Sequence, residues 1–350
     1  MSGRLDGIQI LRFVAAAMVL IQHAVFLPSL NYGIDVMAFR RLSIGSAGVY
    51  VFFVISGYVI AGLVHQHPVK FALHRAARIY PPYLASMLIA GILLTSLGGI
   101  DASKVRWLWS FTLFPVGGAI DSWANVPFWT LIYEMTFYIT TAALMIGGSR
   151  SFDIGLVVWS AAIAIAAFLL PPQPSLTASY LAILINPLSL LFIAGAALNR
   201  LHSGSTWPAA LVALIALSAF WRQATPFQNL TVFAVGTVAA VHLAVVVSPV
   251  IRRARWLSPL VKGGDFSYGL YLLHAPIIAA LLLAGLPKIV SYPWAVVACL
   301  AGGGVVGLLF GYFEFRFYRA ARSSIDGLVQ NLDGEAEAGN VSSTGRSVLP

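Results

Sequence analysis

Arg12 and His23 stand eleven residues apart inside one apolar segment, residues 8–27, that holds no other ionisable side chain. At about 100° per residue, eleven steps of an α-helix make three full turns plus about 20°, with a rise of about 16 Å. Both side chains therefore lie on one stripe of the helix. Arginine is a permanent cation whose planar fork suits phosphate or carboxylate. Histidine takes and returns a proton near neutral pH. On one stripe, the pair could hold an anionic substrate and move a proton beside it. The competing reading is that Arg12 snorkels to one membrane face while His23 lies near the other. Spacing alone leaves both open.

Other candidates lie on other segments. Glu134 is the only acid well inside an early apolar segment, within the run from Trp129 to Tyr138. In lipid it needs a partner or a proton, so it is a second acid or base, a partner for an arginine, or half of a structural ion pair. Arg75 and Arg78 are three apart and share a helix face. Pro81 follows where a helix would start or kink, and membrane anchoring explains the two arginines equally well. Ser56 and Gly57, in Phe52–Tyr58, allow close helix approach or a local break. Tyr268, Tyr271 and His274 recur at i, i+3 and i+6, as a polar stripe or as an interfacial aromatic belt. His242 and Glu314 are further ionisable groups in apolar segments. His242 stands alone in its segment and reads as structural.

These residues must be positioned by membrane helices. Hydrophobic residues make up 59% of the 350-residue chain and charged residues 9%, where a soluble domain is about a quarter charged. A span needs about 20 apolar residues. Ten candidates follow: 8–27, 45–64, 80–97, 127–146, 154–170, 180–198, 207–221, 230–247, 266–284 and 294–315. The fold class is thus an all-α polytopic membrane protein, a bundle of about ten transmembrane helices. Residues 104–116, aromatic and basic, read as an interfacial segment. The first segment reads as a retained helix rather than a cleaved signal. Residues 1–322 form the transmembrane domain, and 323–350, rich in Gly, Ser, Asn and acids, read as a disordered tail.

With both termini cytoplasmic, fourteen Lys and Arg residues fall inside and six outside, Arg12 being within a span. That bias supports this orientation in a cell membrane. It also explains the net charge of +9 without nucleic acid as a partner. The single cysteine, Cys299, excludes an intrachain disulfide and any multi-cysteine metal site. No clustered metal-ligand signature, Gly-x-Ser-x-Gly elbow or Walker loop is present, so no metal is expected and a soluble-type hydrolase or ATP-driven pump has no support.

In order along the chain, these motifs resemble those of the membrane-bound acyltransferase 3 family. They are Arg12 to His23; Phe52–Gly57 followed by an aromatic residue; Arg75-x-x-Arg78-Ile79-x-Pro81; Trp129-x-Leu131-x-x-Glu134-x-x-Phe137-Tyr138; and Ser267-Tyr268-x-Leu270-Tyr271-x-x-His274. The likeness covers roughly residues 5–322, and its opening is most similar to the exopolysaccharide branch. Two departures stand out. Many members carry Gly-Val-Asp where this chain has Gly48-Val49-Tyr50, and the last span has Glu314-Phe315-Arg316 rather than Glu-Lys-Pro.

The resemblance implies transfer of an acyl group, most often acetyl, from acyl-CoA to a carbohydrate hydroxyl in an exopolysaccharide or lipid-linked glycan of the bacterial inner membrane. Acyl-CoA is then a co-substrate, and no bound cofactor is expected. The implied catalytic residues are His23, Arg12 and Glu134, and the implied substrate-binding residues are Arg75, Arg78, Ser56, Tyr268 and His274. The rival classes are a transporter or exporter of a glycan or small acid, and a polysaccharide-assembly component without chemistry of its own.

Overall fold

The computed structural model describes residues 4–100, 112–113, 116–119, 128–170, 177–222 and 230–344. The basic stretch beginning at Lys104 lies outside these residues. The described chain is helical apart from two short strands, Val116–Ala119 and Thr177–Ser179, which pair antiparallel. Helix α1 is Asp6–Tyr32, α2 Met37–Arg41, α3 Ile44–Ala61 and α4 Pro68–Ser96. Next come α5 (Trp129–Met145), α6 (Gly148–Leu169), α7 (Tyr180–Leu184), α8 (Ser189–His202), α9 (Thr206–Arg222) and α10 (Leu230–Arg253). The described residues end with α11 (Ser258–Leu283), α12 (Leu286–Ile289) and α13 (Tyr292–Thr344).

Seven helices among the described residues are long and apolar enough to cross a membrane, by length and composition. Each of the ten expected segments contains helix, but three fall short of that measure. Helix α5 has 17 residues, and the apolar part of α9 spans Thr206–Ala219. The segment 180–198 is not one helix. Helix α7 stops at Leu184, the Asn186 side chain accepts from Leu188 N at 2.9 Å, and α8 begins at Ser189. Pro187 between them has no N–H to carry a helix through.

Helix α4 also departs from expectation. It begins at Pro68, well before the expected span at residue 80, and Arg75 and Arg78 share a helix face as their spacing suggests. Pro68 occupies the first turn, where a missing N–H costs nothing, and the His67 side chain accepts from Val69 N. Helix α4 runs on through Pro81 and Pro82. At its other end the bundle's last helix, α13, continues past Arg322 to Thr344. Its extension is held at Asp326, which bridges Lys70 at 2.8 Å and His74 at 3.2 Å on α4.

Helix α1 is central and packs against α3, α10, α11 and α13. Between membrane helices, close packing replaces the hydrophobic drive, and small residues set the crossings. At the α3–α8 crossing, a Cβ on Gly57 would run into the Phe192 carbonyl, and one on Gly195 into that of Val54. Gly57 thus serves close approach, one of the two readings open from sequence, and α3 continues unbroken through it.

Candidate active site

The crossing at Gly57 turns the preceding residue, Ser56, away from α8 and towards α5, where its hydroxyl donates to Glu134 at 3.1 Å. Glu134 also accepts from the Tyr138 hydroxyl one turn on. Its position fits the i, i+4 geometry of a helix. The carboxylate therefore has two donors, and it lies within electrostatic reach of Arg12.

Around Glu134 lies a cavity of about 110 Å³, lined by Arg12, Ser56, Arg75, Arg78, Glu134 and Tyr268, with apolar and aromatic side chains completing the wall. Five helices, α1, α3, α4, α5 and α11, contribute to it. The space admits a chain end or a small anionic group.

The three arginines differ. Arg78 is committed: it pairs with Glu314 of α13, a buried carboxylate, and its guanidinium lies over the rings of Tyr268 and Tyr318 at 5.3 and 5.1 Å. Arg75 lies over Phe71 and Tyr138, each at 5.8 Å, and its Nε is buried without a hydrogen bond. Arg12 makes no hydrogen bond or ion pair among the described residues, and its nitrogens are not sealed from the cavity. Three cations against the carboxylates of Glu134 and Glu314 leave one positive charge in a largely apolar setting. Such a site favours an anion.

His23 does not line this cavity. Its Nδ1 lies 2.9 Å from Nε2 of His274 on α11, with ring centroids 5.1 Å apart. His274 is completely buried, and its Nδ1 lies 2.9 Å from the Leu270 carbonyl. Phe52 and Tyr271, both in the cavity wall, stand edge to face at 5.5 Å. Tyr271 is hydrogen-bonded to Thr130 at 2.7 Å, and its ring is 6.1 Å from that of His274. Arg12 shares the cavity wall with Tyr268 and Tyr271 of α11, and His23 meets His274 of the same helix.

The stripe Tyr268, Tyr271 and His274 is not an interfacial belt. Tyr271 and His274 are buried and Tyr268 is half-buried; Tyr268 lies under Arg78, His274 meets His23, and Tyr271 lines the cavity. Ser56, Arg75, Arg78, Glu134 and Tyr268 meet Arg12 around one cavity, while His23 and His274 form a second, adjoining group. Glu314 is the site residue that sequence reasoning did not assign. Its one signal was an acid in the last apolar segment. His242 is not solitary as expected, because its Nδ1 lies 2.9 Å from Nε2 of His202. No group of three or more metal-ligating side chains occurs among the described residues.

A family model described as an acyltransferase domain matches residues 5–312. The chain is 23% identical over 320 residues to "Nodulation protein 10" of Rhizobium leguminosarum bv. viciae, covering 81% of this chain and 86% of that protein. It is 27% identical over 285 residues to "Exopolysaccharide production protein ExoZ" of Rhizobium meliloti, covering 77% and 88%. It is also 27% identical over 272 residues to "Acyltransferase MdmB" of Streptomyces mycarofaciens, covering 67% and 69%. No solved structure shows a significant match.

Proposed function

The chain belongs to the acyltransferase 3 family, and from that premise we propose that it moves an acetyl group from acetyl-CoA to a carbohydrate hydroxyl, in an exopolysaccharide or a lipid-linked glycan. The observation that carries this reading is Arg12: a partnerless cation beside a small net-positive cavity, on the same helix and facing the same neighbour as a histidine. An acyl-CoA is a polyanion with a thin arm ending in a thioester. Its bulk stays outside the bundle, attracted by Arg75, Arg78 and the basic residues around them. Only the arm enters, past Phe52 and Tyr271, towards His23.

The chemistry balances with one base. His23 Nε2 takes the proton of the acceptor hydroxyl as its oxygen bonds to the acyl carbon. The carbon–sulfur bond breaks, and the departing thiolate takes that proton from His23. Arg12 holds the donor or the charge that develops on it. Glu134, fixed by Ser56 and Tyr138, balances the arginines and orients them. The apolar wall keeps water from the thioester.

The orientation that serves a cytosolic donor puts both termini and the Arg75–Arg78 end on the cytoplasmic side of the bacterial inner membrane. A cysteine placed at Ser203, after Cys299→Ser, should label from the inside only.

The test is reconstitution. Purified protein in proteoliposomes, given labelled acetyl-CoA and a soluble exopolysaccharide fragment, should yield a product heavier by one acetyl group. Movement of unmodified glycan into the vesicles, with no acylated product from any acyl-CoA tried, would overturn the reading in favour of a transporter.

A further inference from the structure

We infer that His274 is a positioning residue: it fixes His23 in the one tautomer that leaves Nε2 free to accept a proton. The argument needs only hydrogen-bond valence. A carbonyl oxygen has no hydrogen to give, so the 2.9 Å contact between His274 Nδ1 and the Leu270 carbonyl requires the hydrogen on Nδ1. A neutral imidazole carries one N–H, so His274 Nε2 is an acceptor. The 2.9 Å contact from His23 Nδ1 then requires the hydrogen on that nitrogen. The lone pair of His23 is left on Nε2, which has no partner among the described residues and is not sealed off.

The chain of donors runs one way, from His23 to His274 to a helix carbonyl. It resembles the logic in which a base is held in register by a third group. The anchor is firm. His274 is completely buried, and the carbonyl belongs to its own helix, one turn earlier. His23 is half-buried. Without His274 its imidazole would be free to turn about its side-chain bonds and to exchange tautomers, and the lone pair would no longer be aimed. In this arrangement His274 touches neither substrate nor reacting atoms. The role once expected for it, binding substrate, passes to residues lining the cavity.

The inference rests on the proposed use of His23 as the base, and the experiment separates the two. Protein labelled with ¹⁵N-histidine is compared as wild type, His274→Gln and His274→Leu, with His23→Ala assigning the His23 signals. Glutamine keeps an acceptor oxygen near the place of Nε2, and leucine removes it. Wild type and His274→Gln should show His23 with hydrogen on Nδ1. His274→Leu should show a mixture or the opposite tautomer.

In parallel, His274→Leu should lower kcat by about 10²-fold, within the span typical of acid–base catalysis, with the donor KM unchanged. His274→Gln should recover most of the loss. If the His23 signals are the same in all three proteins, the positioning role is refuted. If the tautomer shifts as described but His23→Ala transfers acyl groups normally, the positioning stands and the base assignment falls.

Discussion

The molecule holds two histidine pairs with the same local geometry and different surroundings. His23–His274 and His202–His242 each have ring nitrogens 2.9 Å apart and ring centroids 5.1 Å apart. The first pair ends on a carbonyl, which only accepts. The second ends on the Tyr58 hydroxyl, 3.0 Å from His202 Nδ1, which can donate or accept. Protons in the second pair can therefore be ordered in either direction, and neither imidazole is committed to a lone pair. The first pair adjoins a cavity with three arginines. His242 instead faces a recess lined by alanine, leucine and valine of α8, α9 and α10. Two close imidazoles do not by themselves make a base; under the proposed function, what the first pair adds is a one-way chain of donors beside a cavity lined by three arginines.

The largest effect should come from His23→Ala. Removing a general base typically costs about 10²–10⁴-fold in rate, and turnover should fall by that much while the protein still inserts and elutes as a folded species. His242→Ala should leave turnover near wild type. Equal losses in both variants, measured as acyl transfer in proteoliposomes, would erase the functional distinction between the pairs.

Much of the first pair's setting was legible because it is written along single helices. The Arg12–His23 stripe and the Tyr268–Tyr271–His274 stripe follow from helical spacing. Contacts between distant helices leave no such trace. The Arg78–Glu314 pair spans 236 residues and the His202–His242 pair 40, so neither shows as a period.

Element ends were misplaced where hydropathy competed with punctuation. The start of α4 is marked by His67-Pro68, yet the turns that follow carry Lys70, Arg75 and Arg78, so the apolar span reads as starting only near residue 80. These turns are charged because they line the cavity and meet Asp326. Conversely, the apolar content of 180–198 hid the break at Asn186-Pro187.

Arg12 offers the next test of what makes the first pair different. Its charge has no partner to lose, so substitution should affect function more than folding. Arg12→Lys keeps the cation but not the fork. A charge-assisted hydrogen bond is worth about 1.5–3 kcal/mol, so activity should fall about tenfold to a hundredfold. Arg12→Ala should be worse. If Arg12→Lys is fully active and Arg12→Ala nearly so, Arg12 is a membrane anchor, and the cavity no longer distinguishes the two pairs.

Arg78 should behave differently, because its charge is already matched. Arg78→Ala leaves Glu314 buried and unpaired, which typically costs about 3–5 kcal/mol of stability. Adding Glu314→Gln should restore most of that loss in a thermal unfolding assay. The double variant leaves the net charge of the site unchanged, so a raised donor KM with an unchanged acceptor KM would show that the Arg78 side chain meets the donor's phosphates directly. Wild-type donor kinetics in the double variant would reduce Arg78 to a structural partner of α13.

The smallest effect should come from Tyr58→Phe, which asks whether the second pair does anything for transfer. The substitution removes the hydroxyl that meets His202 Nδ1 and keeps the buried ring against α8. His202 is exposed on its other side, so the lost bond should cost no more than about 1 kcal/mol. The hydroxyl imposes no direction on the protons of His202 and His242, so its loss removes no ordering that catalysis could use. Stability should therefore drop slightly, with kcat and both KM values unchanged. A large fall in kcat with normal stability would mean that the hydroxyl does order the second pair, and that protons are handled at two places in this bundle. In that event Tyr58→Phe combined with His242→Ala should be no worse than either alone, because both would break the same chain.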